Sequence, residues 1–134
     1  MMEANPNPDS SGPMMITTAH GDVGDADALK RLERFGGLKL REELTKLFLQ
    51  EAPARIAAAR AAHEGGDIVL VRSMAHALKS SAAQMGAPRV SSLCEQIEKQ
   101  DPPSDLAHAL SGLDEEFSRY CDWLSTAFPA PQSP

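Results

Sequence analysis

A histidine and a lysine stand three residues apart in the segment AHALKSSAAQMGA, at positions 76 and 79. A neutral imidazole is a competent nucleophile near pH 7, because its ordinary pKa is about 6.5. Side chains three residues apart are neighbours on a helix surface. An ammonium at Lys79 would therefore neutralise an anion attached to His76, and Arg72, one turn earlier, could do the same. This pair is suited to an imidazole that carries an anionic group.

His76 is predicted to lie on the outer face of its helix, because an α-helix advances about 100° per residue. Arg72, Ser80 and Ala83 fall on the same side as His76, and the small side chains of Ser80 and Ala83 would let a partner approach the ring. These three residues are the predicted docking positions beside it. On periodicity alone, however, an exposed histidine near a lysine is more often an ordinary solvated helix face. The residues on the opposite side are apolar and must face a core: Val71, Met74, Leu78, Ala82 and Met85.

Composition places the chain among globular proteins and argues against several classes of partner. Its 134 residues are 42% hydrophobic and 24% charged, which fits one domain with a single core. The net charge is −6 and no basic stripe is present, so nucleic-acid binding is not expected. No apolar run approaches the roughly 18 residues of a membrane span, and no signal peptide is recognised.

The two cysteines, Cys94 and Cys121, fit a reducing, cytoplasmic environment. They lie within helical patterns and have no CxxC spacing, so they are interpreted as reduced thiols. No pair of histidine or cysteine residues has the spacing of a metal site. Neither a metal nor another cofactor is expected in the chain itself.

Helical periodicity runs through residues 24–128, the predicted domain, and no alternating strand pattern is found. Residues 1–23 contain Pro, Asn, Ser and Gly and no Lys or Arg, and they are predicted to be a disordered tail, as are residues 129–134.

Glycine, proline and aspartate divide the domain into helices joined by short turns. Four long helices joined in this way pack antiparallel to their neighbours. The predicted fold is therefore all-α, an up-down-up-down four-helix bundle with an additional short N-terminal helix across one end. The predicted helices are about Asp25–Phe35, Leu38 to the Gly65-Gly66 pair, the Asp67 cap to Met85, Pro88–Gln100 and Ser104–Phe128.

The segment AHALKSSAAQMGA resembles the signature of histidine-containing phosphotransfer (HPt) domains, which reads approximately AHxLKGSSxxxGA. FLQEAPARI at 48–56 and SLCEQIE at 92–98 also resemble family segments. The resemblance implies a four-helix bundle whose exposed histidine accepts a phosphoryl group from an aspartyl phosphate on a receiver domain and passes it to another receiver. His76 matches the phosphoacceptor, Lys79 the lysine that supports the phosphate, and Gly86 the glycine that closes the motif.

Ser80 departs from the family pattern, which usually has glycine directly after the lysine. Serine is still small and could donate a hydrogen bond to a phosphoryl oxygen, or it could crowd the approach. Mg²⁺ and an acidic pocket are expected on the receiver domain, because the sequence offers no cluster of carboxylates beside His76. Phe35 and Leu38 are predicted to form an apolar rim for receiver docking.

The sequence predicts a free-standing phosphoryl carrier and not a kinase, and a monomer is expected because the bundle is complete within one chain. No glycine-rich nucleotide loop is present, since the Gly-Gly pairs at 36–37 and 65–66 lack the spacing of either phosphate-binding motif. The alternative is a helical adaptor that binds a receiver or sensor kinase without carrying phosphate. A metal-binding or haem bundle would need inward-facing histidines. His63 and His108 have no motif around them and are interpreted as structural or solvated.

Overall fold

The computed structural model describes residues 23–99 and 106–129, and these residues are helical with no strand among them. The prediction of an all-α fold is confirmed. Almost all of the two predicted tails lies outside the described residues. Within these residues no helix has the length and apolar character that crossing a membrane requires. The helices are α1 (Ala26–Glu64), α2 (Ile68–Gln84), α3 (Pro88–Lys99) and α4 (Leu106–Ala127).

Helix α1 is two helical segments joined at Gly37. The φ angle of Gly37 is 84°, in the left-handed region that suits glycine, and this breaks the helix. The side chain of Asp25 caps the first segment by accepting a hydrogen bond of 3.0 Å from the N–H of Asp27. Residues 26–36 correspond to the predicted short helix and residues 38–64 to the predicted long one.

Helix α2 begins and ends where the sequence predicts. The side chain of Asp67 accepts a hydrogen bond of 3.1 Å from the N–H of Leu70, as expected for an N-terminal cap. At the other end, Gly86 has a φ angle of 73°, and its carbonyl accepts a hydrogen bond of 2.8 Å from the N–H of Asp25. A Cβ at Gly86 would lie 2.4 Å from the carbonyl oxygen of Asp25. Only glycine therefore allows the start of α1 to close on the end of α2.

The four helices form a closed bundle, in which α1 and α3 each pack against both α2 and α4. Val71, Leu78 and Ala82 of α2 are buried in the core on the side opposite His76. From α4, the hydroxyl of Tyr120 reaches across the core and donates a hydrogen bond of 2.6 Å to the carbonyl of Met85. The bundle therefore holds α2 from behind and leaves its outer face open.

Candidate functional site

His76 lies near the middle of α2, and its side chain is 66% exposed. Its neighbours Ala75 and Leu78 are 2% and 1% exposed, so the backbone that carries the ring is fixed by core packing. The ring itself projects from a rigid helix into solvent. A nucleophile in this position is accessible to a macromolecular partner without any movement of the fold.

Glu98 of α3 contacts the His76 ring, with 2.7 Å between its Oε2 and the Nδ1 of His76. An ionised carboxylate can only accept hydrogen bonds, so the Nδ1 atom carries the proton. In the neutral ring the lone pair is then on Nε2, the nitrogen on the far side from Glu98. The carboxylate thus fixes the orientation of the ring and leaves Nε2 as the nitrogen whose lone pair is available.

The same carboxylate also binds Lys79, whose Nζ lies 2.6 Å from Glu98 Oε1. This contact with Glu98 raises the pKa of Lys79, so the ammonium stays charged. In turn, Lys79 lowers the pKa of Glu98, with His76 adding to the effect and desolvation opposing it. The structure therefore brings His76 and Lys79 together, as predicted, and joins them through one charged carboxylate.

Helix α3 presents Glu98 at this position because its apolar side is buried in the bundle. Cys94 and Ile97 are fully buried on that side, and burial raises the pKa of the Cys94 thiol to about 12. The hydroxyl of Ser91 donates a hydrogen bond of 3.3 Å to the carbonyl of Lys79, which ties α3 to α2. Glu98, one turn after Cys94, is then left at the edge of the bundle with 20% of its side chain exposed.

Sequence reasoning did not find Glu98, although it lies in the segment SLCEQIE. The sequence predicts no cluster of carboxylates beside His76, and Glu98 is 22 residues away from it along the chain. The available signal was an acidic residue in this segment, on the next helix. Periodicity shows which face such a residue occupies but not which residue of another helix it meets.

The other predicted site residues fall into two groups. Ser80 and Ala83 are exposed on α2, and Arg72 is partly buried there, so all three lie on the helix that carries His76. Phe35 and Leu38 are 90% and 54% exposed and flank the break of α1 at Gly37. The structure does not bring these two residues together with His76.

The distance between the two groups follows from the direction of α1. Its residues 38–64 run antiparallel to α2, and Arg55 Nη1 lies 3.4 Å from Ser81 Oγ, so these two positions are level. Leu38 precedes Arg55 by 17 residues, or about 25 Å of helix, toward and past the C-terminal end of α2. His76 lies about 7 Å from Ser81 in the opposite direction. The axial separation between Leu38 and His76 is therefore about 30 Å.

Among the described residues, no group of three or more His, Cys, Asp or Glu side chains is arranged to hold a metal ion. Both carboxylate oxygens of Glu98 already have partners, since Oε2 contacts His76 and Oε1 contacts Lys79. Glu95, on the same helix, is paired with Lys99 at 2.6 Å. Carboxylates near His76 are thus used for orientation and charge pairing.

A bundle of four helices that exposes one histidine beside a lysine and a carboxylate defines a class of histidine-bearing helical domains. The sequence matches the Hpt domain family over residues 43–123, which is more than half of the chain. The chain therefore belongs to the Hpt domain family.

The structure is also similar to a solved one, the crystal structure of histidine-containing phosphotransfer protein B (HptB) from Pseudomonas aeruginosa PAO1. The TM-score is 0.71 and the sequence identity 20%, over 83% of this chain and 96% of that chain. At this identity the likeness concerns the fold. No curated protein sequence gives a significant match.

Proposed function

We propose that this chain is a phosphoryl carrier in which His76 accepts a phosphoryl group from a receiver-domain aspartyl phosphate and passes it to an aspartate of another receiver. The observation that carries the proposal is the exposed His76 ring, held through Nδ1 by Glu98. Membership of the Hpt domain family supports a role in histidine phosphotransfer.

The proposed step forms one bond and breaks one bond. The lone pair of His76 Nε2 attacks the phosphorus, and the bond from phosphorus to the aspartyl oxygen breaks in line with the attack. The electron pair of that bond returns to the aspartate as a carboxylate. The proton on Nδ1 stays in place, donated to Glu98, and the negative charge of the Glu98 carboxylate balances the positive charge that develops on the ring. Transfer to a second receiver is the reverse of this step.

Lys79 is proposed to stabilise the transferred group. Its ammonium has three donor hydrogens, so one can remain on Glu98 while another reaches a phosphoryl oxygen. Ser80, one turn after His76, is close enough on the helix face to donate a further hydrogen bond. Phosphoryl transfer depends mainly on positioning and charge neutralisation, and these side chains supply both on the carrier's side.

The receiver domain is proposed to supply Mg²⁺ and the acidic pocket. The carboxylates nearest to His76 are paired within the bundle, so the chain's own residues act by holding the ring and neutralising charge. The chain is thus proposed to act as a carrier that depends on another protein for its phosphate, and not as a kinase.

The test is incubation of the full chain with a phosphorylated receiver domain and Mg²⁺, comparing wild type with His76→Gln. We expect an acid-labile, base-stable label on wild type and none on the variant. His108→Gln is the matched control, because His108 is also exposed but lies on α4. A label that persists in His76→Gln would refute the assignment of His76. Receiver binding without any label on wild type would favour the adaptor.

A further inference from the structure

Val69 is an apolar side chain that is 80% exposed in the first turn of α2. It precedes His76 by seven residues, so it lies within about 20° of His76 around the helix and about 10 Å from it along the axis. Its neighbour Val71 is fully buried, so the exposure of Val69 is not a consequence of a loose helix end. Ala83 follows His76 by the same interval, and Val69, His76 and Ala83 therefore form one exposed stripe.

We propose that Val69 is an apolar anchor for the receiver domain, at the edge of the docking surface nearest the turn between α1 and α2. This inference rests on the proposed function, since it assumes that a receiver domain docks over His76. A protein interface of ordinary size covers about 800 Å² on each partner, which corresponds to a radius of about 16 Å. Val69 lies inside a footprint of that size centred on His76.

The lysines near His76 are already paired with carboxylates of the same chain, so they add little electrostatic attraction for a partner. Lys79 is paired with Glu98, and Lys99 with Glu95, each at 2.6 Å. Exposed ion pairs of this kind contribute little to binding energy, whereas burying an exposed apolar side chain at an interface is favourable because it removes apolar surface from water. The surface therefore suits a partner that places an apolar side chain about 10 Å from its reactive aspartate, opposite Val69.

Phe35 gives a comparison, because it is larger than Val69 and even more exposed, at 90%. It lies beside the break at Gly37, close in sequence to Leu38, which is about 30 Å from His76 along the bundle. This places it outside a footprint of ordinary size centred on His76. If apolar exposure alone determined docking, Phe35 would contribute more than Val69 to the affinity for the receiver. If position relative to His76 determines docking, Val69 contributes to that affinity and Phe35 does not.

The experiment measures the Kd of an unphosphorylated receiver domain for wild type, Val69→Ser and Phe35→Ser, together with phosphotransfer rates over a range of receiver concentrations. We expect Val69→Ser to raise Kd about tenfold and to leave the rate at saturating receiver nearly unchanged. Phe35→Ser should bind the receiver like wild type. Val69→Ile, which keeps an apolar side chain at this position, should also bind like wild type. Circular dichroism checks that each variant keeps its helices.

Two results would overturn the inference: a Kd for Val69→Ser equal to that of wild type, or a loss of affinity in Phe35→Ser as large as that in Val69→Ser. Failure of the proposed function looks different. In that case wild type acquires no label from any phosphorylated receiver, whatever the binding constants of the variants.

Discussion

Gly86, near the end of the segment AHALKSSAAQMGA, lies where the start of α1 contacts the end of α2, and its replacement by alanine gives a quantitative test of this contact. The residue has a φ angle of 73° and accepts a hydrogen bond of 2.8 Å from the N–H of Asp25. A left-handed conformation costs a residue with a Cβ about 1–2 kcal/mol. The new Cβ would also lie 2.4 Å from the Asp25 carbonyl oxygen, which must move. Losing the hydrogen bond costs about 1 kcal/mol more.

Gly86→Ala is therefore expected to lower the free energy of unfolding by about 2–3 kcal/mol. For a domain of roughly 100 residues this corresponds to a fall in Tm of about 10 °C. The result is measured by urea denaturation and thermal melting, followed by far-ultraviolet circular dichroism. The physical reason for a large effect is that two costs coincide at one residue.

Gly66→Ala is the matched control, because it separates those two costs. Gly66 has nearly the same φ angle, 76°, but no atom lies within 4 Å of the position its Cβ would take. Only the conformational cost of about 1–2 kcal/mol should then appear. Equal destabilisation by the two substitutions would refute the reasoning, since it would mean that the start of α1 does not press on Gly86.

Three further predictions concern Glu98, Tyr120 and Cys94. Glu98→Ala should slow labelling of His76 by a phosphorylated receiver about tenfold, because the ring loses its orientation. Glu98→Gln should retain more of the labelling rate. Identical labelling time courses in Glu98→Ala and wild type would contradict this prediction. Tyr120→Phe should cost about 1–3 kcal/mol, because the buried carbonyl of Met85 loses its donor, and an unchanged urea midpoint would count against it. Burial raises the pKa of Cys94 from 9.0 to about 12, so stability present below pH 9 should be lost as the pH rises toward 12. Cys94→Ala should flatten this dependence, as measured by denaturation at a series of alkaline pH values.

Local features of the fold could be predicted because single residues determine them. Asp67 caps α2 through its own side chain, and Gly37 breaks α1 through a backbone conformation that suits glycine. The outward direction of His76 also follows from local information, since the apolar residues of α2 fix which side is buried. Each of these predictions needs only the period of a helix or the stereochemistry of one residue.

Relations between helices could not be predicted in the same way. Glu98 meets His76 and Lys79 because α3 and α2 pack in one particular register, and this register depends on how the buried side chains of both helices interlock. Phe35 and Leu38 show the same limit, because their place relative to His76 depends on how far α1 extends past the end of α2. The sequence predicts which face of its helix each residue occupies, but it does not predict the position of that residue along the bundle axis relative to residues of other helices.

The shared carboxylate explains how the proposed carrier could both accept a phosphoryl group and give it up. Before transfer, the charge of Lys79 is balanced by that of Glu98, so this ion pair carries no net charge. A phosphoryl group adds about two negative charges, and one ammonium then faces both the phosphoryl oxygens and Glu98. Without Glu98, Lys79 would stabilise the phosphoryl group more strongly. Glu98 competes with the phosphoryl oxygens for the Lys79 ammonium and so limits that stabilisation. Because the proposed carrier must release the phosphoryl group to the next aspartate, we expect incomplete neutralisation of the phosphorylated site to favour transfer in both directions.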